Sequence, residues 1–139
     1  MGKLSKNNPE KKCVLIDDDE TFCQIIRNFA ASRGIVLDSF TSLEQMGSLG
    51  KLSDYAVAIV DYDLGSQLNG LEIAEYLPAF FGEMPMILVS GRDRRASNKV
   101  WPRSIKSFVH KDLGPDAILD LAQAWMHEHD GIAIRAAGL

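Results

Sequence analysis

Short apolar runs alternate with stretches of helical periodicity, and this alternation constrains the chain more than any other feature. Four of the runs end on a residue that phosphoryl chemistry uses. Cys13-Val14-Leu15-Ile16 leads into Asp17 and Asp18, and Ala56 to Val60 leads into Asp61. Met86 to Val89 leads into Ser90, and Ser107 to His110 leads into Lys111. If the runs are neighbouring parallel strands, their carboxyl ends converge on one crevice, where open α/β sheets hold their ligands. That crevice would gather a carboxylate cluster, a separate aspartate, a hydroxyl and an ammonium.

The rest of the pattern fits this arrangement. After the first run, Phe22, Ile25, Ile26, Phe29 and Ala30 repeat at helical spacing, with Asp19 placed as an N-cap and Gly34 as a stop. Ile35 to Phe40 reads as a second strand. Leu43 and Met46 suggest a short helix ahead of Gly50, weakened by Gly47. Ala56 to Val60 is apolar at every position, as expected of a strand covered on both faces. Asn69-Gly70 opens a helix through Leu71, Ala74 and Leu77, with Pro78 near its end. Met84 to Val89 is the fourth strand, and a short helix is expected within the basic stretch Arg92 to Lys99. Ile105 to His110 is the fifth strand. Gly114-Pro115 starts a last helix whose apolar face is Ile118, Leu121, Ala122, Trp125 and Met126. Five β-α units in succession argue for a parallel sheet with right-handed crossovers and helices on both faces.

With 139 residues, 46% of them hydrophobic, one domain with a substantial core is expected. Residues 1–11 read as a flexible tail, 12–129 as the domain, and 130–139 as a C-terminal tail or the start of a linker. The net charge of −4 argues against a general nucleic-acid or membrane-surface binder. No apolar stretch approaches bilayer length, and the polar start lacks a signal core, so a cytoplasmic location is expected. Two cysteines, Cys13 and Cys23, fit a reducing compartment.

Several carboxylates at one point repel each other unless a cation offsets them, so Asp17, Asp18 and Asp61 together suggest Mg²⁺, a hard ion bound by oxygen. An aspartate can also accept a phosphoryl group as a nucleophile. The charge of the transferred group then calls for a partner, which the metal and Lys111 would supply together. Ser90 can hydrogen-bond a phosphoryl oxygen, and Gly91 leaves the approach to Asp61 open.

The segments Val14-Leu15-Ile16-Asp17-Asp18-Asp19, Ile59-Val60-Asp61, Leu88-Val89-Ser90-Gly91 and Phe108-Val109-His110-Lys111 are together similar to the receiver domain of bacterial response regulators. The resemblance runs from about Lys12 to about His127. It implies a flavodoxin-like three-layer α/β sandwich, with a five-stranded parallel sheet in the order 2-1-3-4-5 and five helices, an order for which a receiver protein is a standard illustration. It makes Asp61 the phosphoacceptor. Asp18 becomes a direct Mg²⁺ ligand, Asp17 one acting through water, and the main-chain carbonyl of Asp63 a further ligand. Ser90 and Lys111 become the phosphoryl-binding groups, and Phe108 becomes the aromatic that moves with Ser90 when the domain switches. The implied donor is a phosphohistidine on a sensor histidine kinase or a histidine phosphotransfer protein. The implied output is a downstream protein or an effector domain, with homodimer formation left open. Such a domain promotes its own phosphorylation and is a switch more than a turnover enzyme.

The chain departs from the family pattern in places. Gly65 stands where proline is common, the loop to Gly70 is one residue longer, and Asp112 follows Lys111 where many members carry proline. Asp63 and Arg92 each lie two residues past a site residue. They are expected to rim the pocket, where either they pair across its mouth or Arg92 leans on the phosphoryl group, hindering the attacking water and slowing dephosphorylation. His127 and His129 share no helix face and read as a solvated helix end rather than a metal site. Two rival functions differ in a measurable way. A haloacid dehalogenase-like phosphatase would use Asp61-Tyr62-Asp63 and turn over a phosphomonoester, but its second acidic pair should follow the lysine. An inactive receiver would bind partners constitutively, against which the complete residue set speaks.

Overall fold

The computed structural model describes residues 12–49, 54–64, 82–91 and 103–127. In chain order these hold β1 (Lys12–Ile16), α1 (Glu20–Ser32), β2 (Leu37–Phe40), α2 (Leu43–Leu49), β3 (Tyr55–Asp61), β4 (Met86–Ser90), β5 (Ile105–His110) and α3 (Pro115–Met126). A single 3₁₀ turn, Lys111–Leu113, joins β5 to α3. All strand pairs are parallel, and the sheet order is β2-β1-β3-β4-β5. The described residues thus contain three of the five expected α-helices. The helix expected from Asn69 and the one expected between Arg92 and Lys99 lie outside them.

Strand alternation sorts the core into two halves. Cys13, Leu15, Val57, Ile59, Ile87 and Val89 point to one face, where they meet Cys23, Ile26 and Ala30 of α1 and Ile118, Leu119 and Ala122 of α3. Val14, Ile16, Ala58, Val60, Met86 and Leu88 point to the other, with Met46 of α2. A strand buried on both faces reads as a nearly continuous apolar run, and β1, β3 and β4 show this between their polar ends Lys12, Asp61 and Ser90. Each large aliphatic side chain taken fully out of water contributes about 1.5–3 kcal/mol to holding the layers together.

The helix ends are set by local chemistry. Asp19 caps α1, its carboxylate accepting from Phe22 N at 3.1 Å. Gly34, at φ +73°, closes the same helix, and Ile35 N reaches back to the Ala30 carbonyl at 2.9 Å. That bond is the long return of a Schellman motif, and it holds Ile35 in the helix terminus. The ladder of β2 accordingly begins at Leu37 rather than at Ile35, although the Val36 carbonyl still accepts from Cys13 N. Pro85 likewise precedes β4, which runs from Met86 to Ser90 instead of from Met84. A second correction concerns α1: Ile25 and Phe29, read as part of its apolar face, are 41% and 37% exposed. None of the described helices is long and apolar enough to cross a membrane.

The chain leaves β1 towards β2 on one side and returns to β3 on the other. From β1 the chain goes on to β2 at one side and from β3 to β4 at the other. The sheet order therefore reverses between β1 and β3, and a crevice opens between the carboxyl ends of those two strands. Ile16 stands opposite Val60, so Asp17 and Asp61, the next residues of each strand, emerge side by side.

Candidate functional site

Asp17 and Asp61 are held in place by their own turns. Asp17 Oδ1 accepts from Asp19 N at 2.8 Å, and Asp61 Oδ1 accepts from Asp63 N at 3.0 Å. Each carboxylate thus organises the backbone two residues downstream, a local bond that aspartate is short enough to make. Asp17 is fully buried and Asp61 is 3% exposed, whereas Asp18 is exposed at the crevice mouth. One carboxylate oxygen from each of Asp17, Asp18 and Asp61 lies within 4.8 Å of the others.

Lys111 comes to the same place from the far side of the sheet. It follows β5 in the 3₁₀ turn, which His110 caps by accepting from Asp112 N through Nδ1 at 3.0 Å. Its Nζ lies 2.8 Å from Asp17 Oδ2 and 3.9 Å from Asp61 Oδ2. The ammonium also stands over the Phe22 ring, 4.5 Å from its centroid. The contact with Asp17 is an ion pair, and the buried Oδ2 receives no hydrogen bond of good geometry.

The electrostatics follow from burial and crowding. Burial, reinforced by the neighbouring charge of Asp17, pushes the Asp61 carboxyl up to about 7, against the pull of the Asp63 N–H and Lys111. Burial also raises Asp17, and Lys111 offsets only part of that effect. Burial alone would lower Lys111, but Asp17 and Asp61 outweigh it and hold the ammonium above its ordinary value. The site therefore pairs a firmly charged lysine with two carboxylates that are difficult to ionise together. An incompletely satisfied buried oxygen among three hard donors fits a small divalent cation such as Mg²⁺.

Ser90 ends β4 and is fully buried, with its hydroxyl donating to Asp63 Oδ2 at 2.7 Å. Phe108, on β5, is half-buried in the second core cluster and packs on Tyr62 with ring centroids 5.0 Å apart. Tyr62 directly follows Asp61, so this contact links β5 to the backbone of the acidic site. Arg92 lies outside the described residues, and so does the segment Gly65 to Gly70 with its extra residue. His127 is exposed at the end of α3, as read from the sequence, and His129 is outside the described residues. Two contacts escaped the sequence reading: the Phe22 ring on Lys111, and the Asp63 side chain as acceptor for Ser90.

Comparison with known proteins agrees with this geometry. The family model described as the response regulator receiver domain matches residues 13–123. No curated protein sequence matches the chain. Among solved structures, a CheY-like receiver domain protein of Methanospirillum hungatei aligns with a TM-score of 0.66 at 16% identity, covering 87% of this chain and 97% of that one. A response regulator of Thermotoga maritima, solved in complex with Mg²⁺-BeF, gives 0.65 at 17% identity over 81% and 96% of the two chains. A response regulator of Burkholderia pseudomallei, solved with a phosphorylated aspartic acid and a calcium ion, gives 0.60 at 17% identity over 91% and 73%. These identities carry the fold alone. The family match spans most of the chain, over the same strands that bring Asp17, Asp61 and Lys111 to one crevice, and the chain therefore belongs to the response regulator receiver domain family.

Proposed function

We propose that Asp61 accepts a phosphoryl group from a phosphohistidine, on a sensor histidine kinase or a phosphotransfer protein, and that the modified domain binds a downstream protein or effector domain. The observation that carries this reading is the meeting of Asp61 with Asp17, Asp18 and Lys111 at the switch point of the sheet. A carboxylate oxygen of Asp61 attacks phosphorus as the donor's phosphorus–nitrogen bond breaks, and the leaving imidazole takes up a proton. Asp17, Asp18, Asp61 and the Asp63 carbonyl would hold Mg²⁺, which neutralises charge on the transferred oxygens when bound. Lys111 stands near enough to Asp61 to offset charge on the same group. Ser90 would turn its hydroxyl from Asp63 to a phosphoryl oxygen, and Phe108 would follow it.

Incubation with acetyl phosphate and Mg²⁺ tests the reading. One phosphoryl group per chain should be gained, the gain should vanish with a chelator, and Asp61→Asn should show none. Steady release of phosphate from phosphomonoesters would favour the phosphatase reading instead. Partner binding that is equal before and after treatment with beryllofluoride and Mg²⁺ would favour a constitutive binding module.

A further inference from the structure

A lysine ammonium on a four-carbon stem has many places to go, and its usual preference is water. Lys111 is instead only 17% exposed at its side chain. Two carboxylates attract it, but charge alone fixes neither its height above the crevice nor its angle of approach. The Phe22 ring supplies a third contact, with Nζ 4.5 Å from the ring centroid. An aromatic face carries negative potential, so a partly desolvated cation over it is held in a definite direction.

The ring is itself fixed by the acidic site. Asp17 Oδ1 accepts from Asp19 N, and Asp19 Oδ1 in turn accepts from Phe22 N as the N-cap of α1. Phe22 then packs against the core cluster beneath α1. A closed circuit results: Asp17 sets the cap, the cap sets the ring, and the ring faces the ammonium that pairs with Asp17.

We propose that Phe22 is a positioning residue, whose ring face holds the Lys111 ammonium over the crevice where it meets a phosphoryl group on Asp61. The proposal rests on Asp61 being the phosphoacceptor. Phe22 touches neither donor nor phosphoryl group; it acts through Lys111. Removing the face while keeping apolar bulk should slow phosphorylation about three- to tenfold, the range expected for a partly desolvated cation–aromatic contact.

The experiment combines two readouts on the full chain. Proton NMR of the unmodified protein should show the Lys111 ε-methylene protons shifted upfield by the ring, and Phe22→Leu should abolish the shift. Phosphorylation by saturating acetyl phosphate with Mg²⁺ is then timed in Phe22→Leu, Phe22→Tyr and a protein carrying pentafluorophenylalanine at position 22. The pentafluoro ring keeps the size of phenylalanine but reverses the potential of its face, so it separates positioning from packing. The leucine and pentafluoro proteins should both be slowed, and Phe22→Tyr should match wild type. Absence of the ring shift in wild type, or wild-type rates in the leucine and pentafluoro proteins while Asp61→Asn is inert, would overturn the proposal. Phosphoryl incorporation that persists in Asp61→Asn overturns the phosphoacceptor reading, and the proposal with it, so the two failures are distinguishable.

Discussion

Ser90 and Asp63 form a contact that phosphorylation at Asp61 would have to break. The bond is 2.7 Å long with a carboxylate as acceptor, and bonds to charged groups are worth about 1.5–3 kcal/mol in a protein. While it lasts, the hydroxyl is aimed at the loop after β3 instead of at Asp61. Asp63→Ala should therefore tighten beryllofluoride binding in Mg²⁺ by roughly tenfold, since one tenfold step corresponds to about 1.4 kcal/mol. Asp63→Asn keeps an acceptor at the same place and should fall between wild type and the alanine variant. Fluorescence titration of the three proteins checks the order, and an unchanged or weaker affinity in Asp63→Ala would contradict it. Asp63 entered the sequence reading as a main-chain ligand and as a partner for Arg92. The side-chain bond to Ser90 joins residues 27 apart in sequence, and no local pattern encodes it.

At the scale of elements, strands were legible because a parallel strand between two helical layers needs a nearly continuous apolar run, and β1, β3 and β4 have one, broken only at their ends by Lys12, Asp61 and Ser90. Their ends were less legible. The start of β2 is fixed by the way α1 terminates through Gly34 and Ile35, a competition between two elements for the same residues. The exposed Ile25 and Phe29 show the same limit in α1. Period alone spreads the apolar face wider than the sheet and α3 cover. The N-terminus of α1 was legible through Asp19, and the structure ties that cap to the site. Asp19→Ala should lower stability by about 1 kcal/mol, the usual loss for such a cap. It should also weaken the Lys111 ring shift, because Phe22 N loses its acceptor. Urea denaturation and the Lys111 proton shifts measure both effects. A loss of stability with an unmoved ring shift would show that the ring is held by core packing alone.

For the whole molecule, the acidic crevice works against folding when no cation is bound. Asp61 titrates near 7 in the folded chain because of burial, against an ordinary value of 3.8. Between those values the folded state holds a proton that the unfolded state has released, so stability falls as pH rises from about 4 to about 7. Stability from this group is fully present at the acid end of that window and lost at its upper end. Mg²⁺ held by these carboxylates would compete with the proton, and its stabilising effect should be larger near about pH 8 than near about pH 5. Asp61→Asn should flatten both dependences, as followed by denaturation midpoints with Mg²⁺ and with a chelator. The crossover topology explains why so much of the site could be read from the sequence. Residues that end a strand or directly follow one are carried to one crevice by the sheet order alone, which holds for Asp61 in the first case and for Asp17 and Lys111 in the second. Phe22 sits within a helix, and only the folded chain shows that its ring faces the lysine. The central claim, that this crevice makes Asp61 a phosphoryl acceptor, is tested most directly by trapping. Borohydride reduction after exposure to acetyl phosphate and Mg²⁺ converts an aspartyl phosphate to homoserine, which peptide mass mapping locates. Homoserine at position 61, dependent on Mg²⁺ and strongly reduced in Lys111→Ala, is the expected result; its absence there, or its appearance at another aspartate, would contradict the account.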